Sequence, residues 1–524
     1  MNQKIVSFQE AASLIPDDAV VSVSSSSGLG CPDAMLKAIG ERFEKEQRPK
    51  DLTVLSPIAA GDMYGIDGID HIAREGLLKR IIAGSYPSGP SYMKSPKIWT
   101  MIDENRVEAY NVPSGIMFDM HREAAARRAG LFTQVGMGTF ADPRLQGCRM
   151  NSRTKEDIVR IVTLDGTQWL HFTNIYPKVA VIRGTTADER GNISMEHEGA
   201  YLGALDQALA ARNSGGIIIA QVKRVCRKYS IPAQRVHIPS TLVDYIVIDP
   251  DQKQTTETLY DPAISGEIRS PDVYEASMDL SPETIIARRA ATELKAGMTV
   301  NLGFGISALV PKVLKERGTS DLVTWAIEQG AVGGSPLTGF AFGCAVNAEA
   351  IMPSPYQFTF FQGGGIDTAM LSFMQVGEDG SVNVSRLKAK PHVTAGCGGF
   401  VDIVHSVKNI VFCGTFTAGG LKTVIEQGKL TILQEGKAVK FTKDIEHITF
   451  SGTEGIRKDQ NVTYVTERCV IKLKPEGLTV VEIAPGIDLQ KDIIDQSGVP
   501  LKADKNLRMM DSGLFTYDEK MENN

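Results

Sequence analysis

The sequence predicts an α/β protein of two tandem, related domains, each built on a mainly parallel β-sheet. Apolar runs rich in Val and Ile alternate with amphipathic segments, glycines stand at the joints, and the order of segments repeats in the second half. Such alternation is typical of β-α-β units, in which helices connect consecutive parallel strands. The length of 524 residues also exceeds the roughly 250 to 300 that one hydrophobic core sustains.

The predicted elements begin with a strand in residues 19–24 (AVVSVS), a helix in 32–46 and a strand in 52–57 (LTVLSP). Later strand-like runs are GIIIAQV at 216–222, LVDYIVI at 242–248, NIVFCGTF at 409–416 and VTYVTERCVIKL at 462–473. A further helix is expected after Ser281, because Ser is a good N-cap and Pro282 suits the first turn.

Two echoes relate the halves of the chain. The strand, small-residue loop and helix around Val20 return around Val300, a shift of 280 residues, and the turn at Gly191 returns at Gly380, a shift of 189. A third echo pairs GGIIIAQV with KNIVFCGTF. Because the shift falls from 280 to 189 residues between the first two echoes, the first half must contain about ninety extra residues there. We therefore expect an amino-terminal domain at 1–265 with this insertion, and a carboxyl-terminal domain at 280–524 that carries Glu328.

Composition excludes several classes of protein. The 56 basic and 62 acidic residues give a net charge of −6, so no footprint for nucleic acid or an anionic membrane is present. The seven cysteines form no C-x-x-C pair and the eight histidines no H-E-x-x-H motif, which argues against a disulfide framework and against a metal site. The amino terminus has no apolar signal-peptide region. A cytoplasmic protein with reduced thiols is expected.

One uncharged stretch, 329–348, is long enough to span a bilayer. It contains five glycines and Pro336, however, so a buried segment rich in loops explains it better than a membrane helix. The charged residue at its edge is Glu328, which follows a strand-like run and precedes Gly330. Ligands of parallel α/β sheets bind beyond the carboxyl ends of strands. A carboxylate isolated among apolar residues and glycines is costly, which favours a functional role over a structural cap.

Glycine-rich loops are further candidates for a site. Gly396, Gly398 and Gly399 in GCGGF allow close approach of a ligand and present backbone N–H groups to an anionic oxygen, although a tight turn is an equally simple interpretation. The NLGFGI segment contains Gly303 and Gly305 but lacks a complete G-x-G-x-x-G motif. No G-x-S-x-G elbow is present, so a serine hydrolase is poorly supported.

Several segments occur in a characteristic order: GTTADERGNISME, SGGIIIAQVKRV, RRAATELKAGMTVNLGFGI, the E-x-G at 328–330, GGGID, GCGGF, VFCGTFTAGGLK, YVTERCV and EIAPGIDLQKDI. Together they resemble the family I coenzyme A transferases, and the match is closest to the propionate (acetate) CoA-transferase group of single-chain enzymes. The resemblance extends from about residue 20 to about residue 490. It implies two tandem domains of the CoA-transferase fold.

The resemblance also implies roles for individual residues. Glu328 matches the nucleophilic glutamate of the family, and the loop at 396–400 supplies N–H groups to an oxyanion, with Gly398 the preferred donor. Gly303 and Gly305 are candidates for the same work of binding CoA or an oxyanion. The first loop, at 25–30, reads SSSGLG where this group often has S-G-F or G-G-F, so Ser27, Gly28 and Leu29 are candidates for the acyl pocket. Gln329, next to Glu328 in the chain, is a further candidate.

The implied function is transfer of CoA between an acyl-CoA of the acetyl or propionyl type and a short-chain carboxylate, through a glutamyl-CoA thioester. CoA is then a substrate, no permanent cofactor is expected, and the resemblance implies a homotetramer or homodimer active in short-chain fatty acid metabolism. An acyl-CoA hydrolase and a non-catalytic metabolite-binding protein on the same fold stay open. The sequence does not identify the acids.

Overall fold

The computed structural model describes residues 4–62, 64–271 and 278–516. Within these ranges the α-helices are α1 Phe8–Ser13, α2 Asp33–Glu46, α3 Lys97–Asp103, α4 Ser114–Ala125, α5 Ala204–Asn213, α6 Pro282–Ala291, α7 Val310–Glu316, α8 Ser354–Gln362, α9 Phe400–Val404 and α10 Gly452–Arg457. The expected start of α6 is confirmed, because the Ser281 side chain accepts a hydrogen bond from the Thr284 N–H.

The β-strands, in chain order, are β1 Val20–Val23, β2 Leu52–Ser56, β3 Leu78–Ala83, β4 Glu108–Asn111, β5 Leu131–Thr133, β6 Val159–Leu164, β7 Thr167–Phe172, β8 Val179–Asp188, β9 Ile193–Ser194, β10 Ile217–Cys226, β11 Tyr245–Ile248, β12 Met298–Leu302, β13 Val323–Ala326, β14 Ala331–Val332, β15 Ser335–Pro336, β16 Ala345–Val346, β17 Ala350–Ile351, β18 Thr368–Ser372, β19 Gln375–Val376, β20 Val382–Asn383, β21 Asn409–Cys413, β22 Thr417–Ala418, β23 Lys422–Glu426, β24 Lys429–Gln434, β25 Ala438–Val439, β26 Asn461–Val465, β27 Cys469–Lys474, β28 Gly477–Ile483 and β29 Lys502–Met509.

The described residues divide into two compact units. Unit 1 is drawn from the segments Met1–Ser270, Ile327–Gln362 and Ser385–Asp402, and unit 2 from Pro271–Ala326, Gly363–Val384 and Ile403–Asn524.

Unit 1 is built on a sheet with the strand order β11-β10-β8-β1-β2-β3-β4, whose neighbouring strands are all parallel. Strand β8 is buried along its whole length because helices cover both faces. Since successive side chains of a strand point to opposite faces, Val179 and Val181 enter the core that contains residues of α2, whereas Ala180 and Ile182 enter the core that contains residues of α5. Strands β5, β7 and β6 form a separate antiparallel sheet.

Unit 2 contains the strand order β13-β12-β18-β21-β26-β27-β28-β29. Its first five strands are parallel, and β26, β27 and β28 are joined by antiparallel ladders.

The strand orders bear out the echoes in the sequence. The order β11-β10-β8-β1-β2 in unit 1 corresponds to β26-β21-β18-β12-β13 in unit 2. The shift of 280 residues relates β1 to β12, and the shift of 189 relates β8 to β18 and β9 to β20. Strands β3 to β7 occupy the extra length of the first half. The expected fold class, α/β with mainly parallel sheets, is confirmed.

The boundaries of the units differ from the domains expected at 1–265 and 280–524. Two later segments, 327–362 and 385–402, belong to unit 1, so Glu328 is grouped with unit 1. The physical reason is hydrogen bonding, since the Tyr86 N–H donates to the Ala395 oxygen and the Ser354 N–H to the Leu202 oxygen. The assignment of whole domains from sequence stays a prediction.

Residues 250–281 are polar and contain the expected join between the domains at 1–265 and 280–524, but they are only partly a linker. Gln252, Gln254, Thr255 and Thr256 are buried in unit 1, while residues 272–277 of that stretch lie outside the described residues. The uncharged stretch 329–348 forms short strands and turns, and no helix within the described ranges is long and apolar enough to cross a bilayer.

Candidate active site

The turn that carries Glu328 is set by the chain on both sides of it. Glu328 comes two residues after β13, and the backbone closes behind it with bonds from the Gly330 N–H to the Ile327 oxygen and from the Ile327 N–H to the Ala331 oxygen, both 2.9 Å. Gly330 has φ +124°, and a Cβ there would collide with the Met352 carbonyl oxygen. Only glycine fits this place, so E-x-G is a local structural requirement.

The Glu328 carboxyl has two hydrogen-bond donors in unit 1. The Gly399 N–H donates to it, and Gln329 Nε2 donates to its Oε1 at 3.1 Å. Burial raises the pKa of Glu328 to about 7 and outweighs both hydrogen bonds, which favour the ionised form. The side chain nevertheless keeps part of its surface exposed. A carboxylate with these properties is reachable and more basic than an ordinary glutamate.

Asn111 fixes the glycine loop at 396–400 against the ends of two strands. Asn111 is the last residue of β4 and 3% exposed, and its side chain donates to the oxygens of Ala83 at 3.1 Å and Gly84 at 2.7 Å, just beyond β3. Its Oδ1 accepts from the Cys397 N–H at 2.9 Å. The loop therefore lies at the carboxyl ends of the parallel strands β3 and β4, and ligands of parallel α/β sheets bind at such ends.

The donor expected in this loop differs from the one that reaches Glu328. The Gly398 N–H donates to the Gly84 oxygen at 2.8 Å, while the Gly398 oxygen accepts from the Ser114 N–H at 2.9 Å. Gly398 is thus occupied in holding the loop, and the N–H that meets the Glu328 carboxyl is that of Gly399. We replace Gly398 by Gly399 as the candidate oxyanion donor.

Gly399 has no room for a side chain. A Cβ at this position would lie 2.5 Å from Glu328 Oε2 and 2.5 Å from Phe358 Cε1 of α8. Gly396 has φ +87°, and a Cβ there would lie 2.8 Å from Asn111 Nδ2. Both glycines are required by close approach of other groups to the backbone.

Asp402 anchors the same loop from its other end. It lies in the first turn of α9, is fully buried, and accepts hydrogen bonds from the Gly115 N–H at 3.0 Å and from Gln362 Nε2 at 2.9 Å. Burial raises the pKa of Asp402 to about 7. Neither Asn111 nor Asp402 was found from the sequence. The available signal was a polar residue inside an apolar element, as in FVDIV, and this pattern has many structural causes.

The loop after β1 contacts Gln329, the residue next to Glu328. Gln329 Nε2 donates to Ser26 Oγ at 3.3 Å as well as to Glu328. Ser27 adopts φ +52°. Leu29 is 2% exposed and packs in one small cluster with Ile264 and Cys344. A Cβ on Gly28 would collide with Thr256 and approach Asp62, so this loop is closely packed.

The remaining candidates lie in unit 2. The Gly303 N–H donates to the Met370 oxygen at 2.8 Å, and Gly305 has φ +97°, with a Cβ there lying 2.7 Å from Ser372 Oγ. Their part in binding CoA stays a prediction. Cys397 is buried, which raises the pKa of its thiol well above the ordinary value and fits the interpretation as a small filler.

Comparison with known proteins shows the family to which the chain belongs. A coenzyme A transferase family model matches residues 5–249. The acetate CoA-transferase YdiF of Escherichia coli O157:H7 is 40% identical over 518 residues, which cover 98% of this chain and 95% of that protein. The chain belongs to the coenzyme A transferase family.

One further relative and two solved structures of YdiF extend the comparison. The caffeate CoA-transferase of Acetobacterium woodii is 39% identical over 518 residues, covering 98% of this chain and 97% of that protein. The crystal structure of the acyl-CoA transferase YdiF apoenzyme from Escherichia coli O157:H7 matches with a TM-score of 0.91 and 37% identity, over 98% of this chain and 97% of the other. The same enzyme, solved as a thioester complex with CoA, gives a TM-score of 0.89.

Proposed function

We propose that this protein transfers CoA between an acyl-CoA of the acetyl or propionyl type and a short-chain carboxylate, by a ping-pong mechanism through a thioester between Glu328 and CoA. The observation that carries the proposal is the setting of Glu328. Its carboxyl is partly exposed, has two hydrogen-bond donors and has a pKa of about 7 because of burial. A nucleophilic carboxylate needs access, orientation and raised basicity, and Glu328 has all three.

The first half-reaction has two steps. The ionised Glu328 carboxylate attacks the acyl-CoA carbonyl carbon, and the tetrahedral intermediate expels the CoA thiolate to leave an acyl-glutamyl anhydride. The thiolate then attacks the glutamyl carbonyl carbon and expels the product carboxylate, which leaves a Glu328–CoA thioester. The acceptor carboxylate reverses both steps. The free energy of the thioester is retained through the anhydride, because no step passes through water.

The position of Gly399 supports its role in these steps. Its N–H already donates to the Glu328 carboxyl, so it is directed at an oxygen that becomes an oxyanion when the thiolate attacks. One such donor is typically worth about 2.7 to 4 kcal/mol of transition-state stabilisation. Gly399 cannot be replaced without displacing Glu328 or Phe358.

The relatives support the choice of reaction. The YdiF enzyme was solved as a thioester complex with CoA, and the two relatives at 40% and 39% identity are named for acetate and caffeate. We favour a short acid here, because Leu29 is packed against Ile264 and Cys344 and Gly28 has no free space beside it. The close packing of this loop is the physical basis for a small acyl pocket.

An assay of acceptor dependence separates transfer from hydrolysis. The protein is incubated with acetyl-CoA, with and without propionate, and free CoA and propionyl-CoA are measured. A transferase gives propionyl-CoA only with propionate and little free CoA. Release of free CoA at full rate without propionate would establish a hydrolase, and the absence of both products would favour a non-catalytic binding protein.

We further propose a cytoplasmic homo-oligomer that holds no permanent cofactor and takes CoA only as a substrate. The supporting observations are the negative net charge and the family membership of the chain. Native mass spectrometry of the purified protein tests the dimer or tetramer.

A further inference from the structure

Gln329 adjoins the proposed nucleophile in the chain and is hydrogen-bonded to it. Its Nε2 donates to Glu328 Oε1 at 3.1 Å and to Ser26 Oγ at 3.3 Å. The side chain is 3% exposed. A buried amide that divides its donors between a carboxylate and a hydroxyl is held in one orientation with Nε2 toward Glu328.

The surroundings of Gln329 hold the side chain in place. Gly343 has φ +108°, and a Cβ there would lie within 2.6 to 2.9 Å of three side-chain atoms of Gln329. Ser354 Oγ donates to the Gln329 backbone oxygen at 3.0 Å, and the Met352 N–H donates to the Gly330 oxygen at 2.8 Å. The backbone on both sides of the amide is therefore fixed, and Gly343 leaves the space that the amide fills.

In the described part of the chain the oxygen of the Gln329 amide is buried without a hydrogen bond, which costs free energy of folding. Gln329 Oε1 is buried and has no hydrogen-bond partner among the described residues. A buried unsatisfied acceptor typically costs about 1 to 3 kcal/mol. Rotating the amide would turn Oε1 toward the negative oxygen of ionised Glu328, where two acceptors would repel each other. The orientation that is retained leaves Oε1 unpaired and keeps the donor on the carboxylate.

The proposed reaction places negative charge on the oxygen that Gln329 Nε2 faces. In the proposed reaction, attack by the CoA thiolate on the anhydride, and attack by the acceptor carboxylate on the thioester, both place an oxyanion on the glutamyl oxygen of Glu328. A donor already 3.1 Å from Glu328 Oε1 is positioned for that charge as it develops, without reorganisation.

We propose that Gln329 is a catalytic residue, whose side-chain amide together with the Gly399 N–H forms the oxyanion hole for the tetrahedral intermediates centred on Glu328 itself. The inference rests on the proposed function. It assigns Gln329 to the nucleophile and not, as the sequence alone indicated, to the acyl pocket.

The test uses Gln329→Met, which keeps the length of the side chain and removes the donor. The matched control is Gln357→Met in α8, because Gln357 is a fully buried glutamine whose side chain also has no hydrogen-bond partner among the described residues. Acetyl-CoA is mixed with excess enzyme at pH 8.5, and the reaction is quenched at intervals. Peptide mass spectrometry measures loading of CoA onto Glu328, and added propionate measures its discharge.

Both loading and discharge are expected to slow by about 10²-fold to 10³-fold in Gln329→Met, as for loss of one oxyanion donor, while CoA still accumulates on Glu328 and Gln357→Met stays within twofold of wild type. The acidic limb of the loading rate is expected to move to higher pH, because loss of a donor to the carboxylate raises the pKa of Glu328. A loss of packing that left the donor to the carboxylate in place would not move this limb, and the slowing at pH 8.5 reports the effect on the oxyanion.

Wild-type rates and an unchanged pH profile in Gln329→Met would overturn the assignment of Gln329 while leaving the proposed function intact. Absence of CoA from Glu328 in the wild-type protein would instead refute the proposed function. If circular dichroism shows that Gln329→Met does not fold, Gln329→Asn takes its place. This variant keeps the amide but withdraws it by one methylene, and the same slowing is expected.

Discussion

Replacement of Glu328 by glutamine should stabilise the protein at alkaline pH. Glutamine keeps the shape of the side chain and an oxygen that accepts from the Gly399 N–H, but it carries no charge. Burial raises the pKa of Glu328 from the ordinary 4.5 to about 7. Each unit of pKa corresponds to about 1.4 kcal/mol, so ionising this carboxyl in the folded state costs up to about 3 kcal/mol.

The sign follows from the raised pKa. The neutral carboxyl contributes stability below pH 4.5, and that contribution is lost as pH rises through 7. At pH 4.5 Glu328→Gln and wild type should therefore unfold with nearly equal free energies. At pH 8.5 the variant should be more stable by up to about 3 kcal/mol.

Urea unfolding at the two pH values, followed by circular dichroism, measures the difference. Glu349→Gln, at an exposed position of the same segment, is the control and should stay within about 0.5 kcal/mol of wild type. An equal effect of Glu328→Gln at both pH values would refute the reasoning, since it would show that the carboxyl is not desolvated.

Three further changes test the site. Gly399→Ala should lower the transfer rate by about 10²-fold or more in a coupled assay, since its Cβ has no room beside Glu328 Oε2 and Phe358; near-normal transfer would show that the loop adapts. Asn111→Ala should destabilise the protein by about 1 to 3 kcal/mol in urea unfolding, because it leaves the Cys397 N–H without its acceptor and removes one of the two donors at each of the Ala83 and Gly84 oxygens. Asn111→Asp keeps the acceptor for Cys397 but should lose at least as much at pH 7, because its second carboxylate oxygen is buried against the Ala83 and Gly84 oxygens; a smaller loss would contradict this reasoning. Leu29→Ala should raise the kcat/KM ratio for butyrate over acetate by about tenfold, by opening space beside Ile264 and Cys344; an unchanged ratio would remove Leu29 from the acyl pocket.

The sequence predicted the fold class and the position of Glu328 because both depend on local pattern. The predicted strand GIIIAQV, for example, forms the first part of β10 and is buried at residues 218–222. The E-x-G turn is equally local, since Gly330 is required by its φ and by the adjacent Met352 oxygen. Repetition of these patterns was enough to predict two related halves, and the two units share a strand order.

The rest of the site depends on contacts between residues far apart in the chain. Asn111 and Cys397 are 286 residues apart, and nothing near either one predicts that they are hydrogen-bonded. A distant contact also decides whether the N–H of Gly398 or that of Gly399 reaches Glu328. Both belong to one G-G pair, and only docking of the loop on Gly84 decides which N–H is engaged and which reaches Glu328.

The sequence pattern also did not predict which of the two units contains Glu328. Chain order places Glu328 directly after a strand of unit 2, whereas its hydrogen bonds, to Gly399 and Gln329, lie in unit 1. A chain that passes from one unit to another within two residues leaves no compositional mark at the crossing.

Peptide mass spectrometry after incubation with acetyl-CoA, in the absence of an acceptor acid, tests the central claim most directly. The peptide containing Glu328 should gain the mass of CoA less water, and propionate should remove this mass and yield propionyl-CoA. Glu349→Gln should behave in the same way, and Glu328→Gln should gain no mass. An unmodified Glu328 peptide, in a protein that still produces propionyl-CoA, would contradict the account.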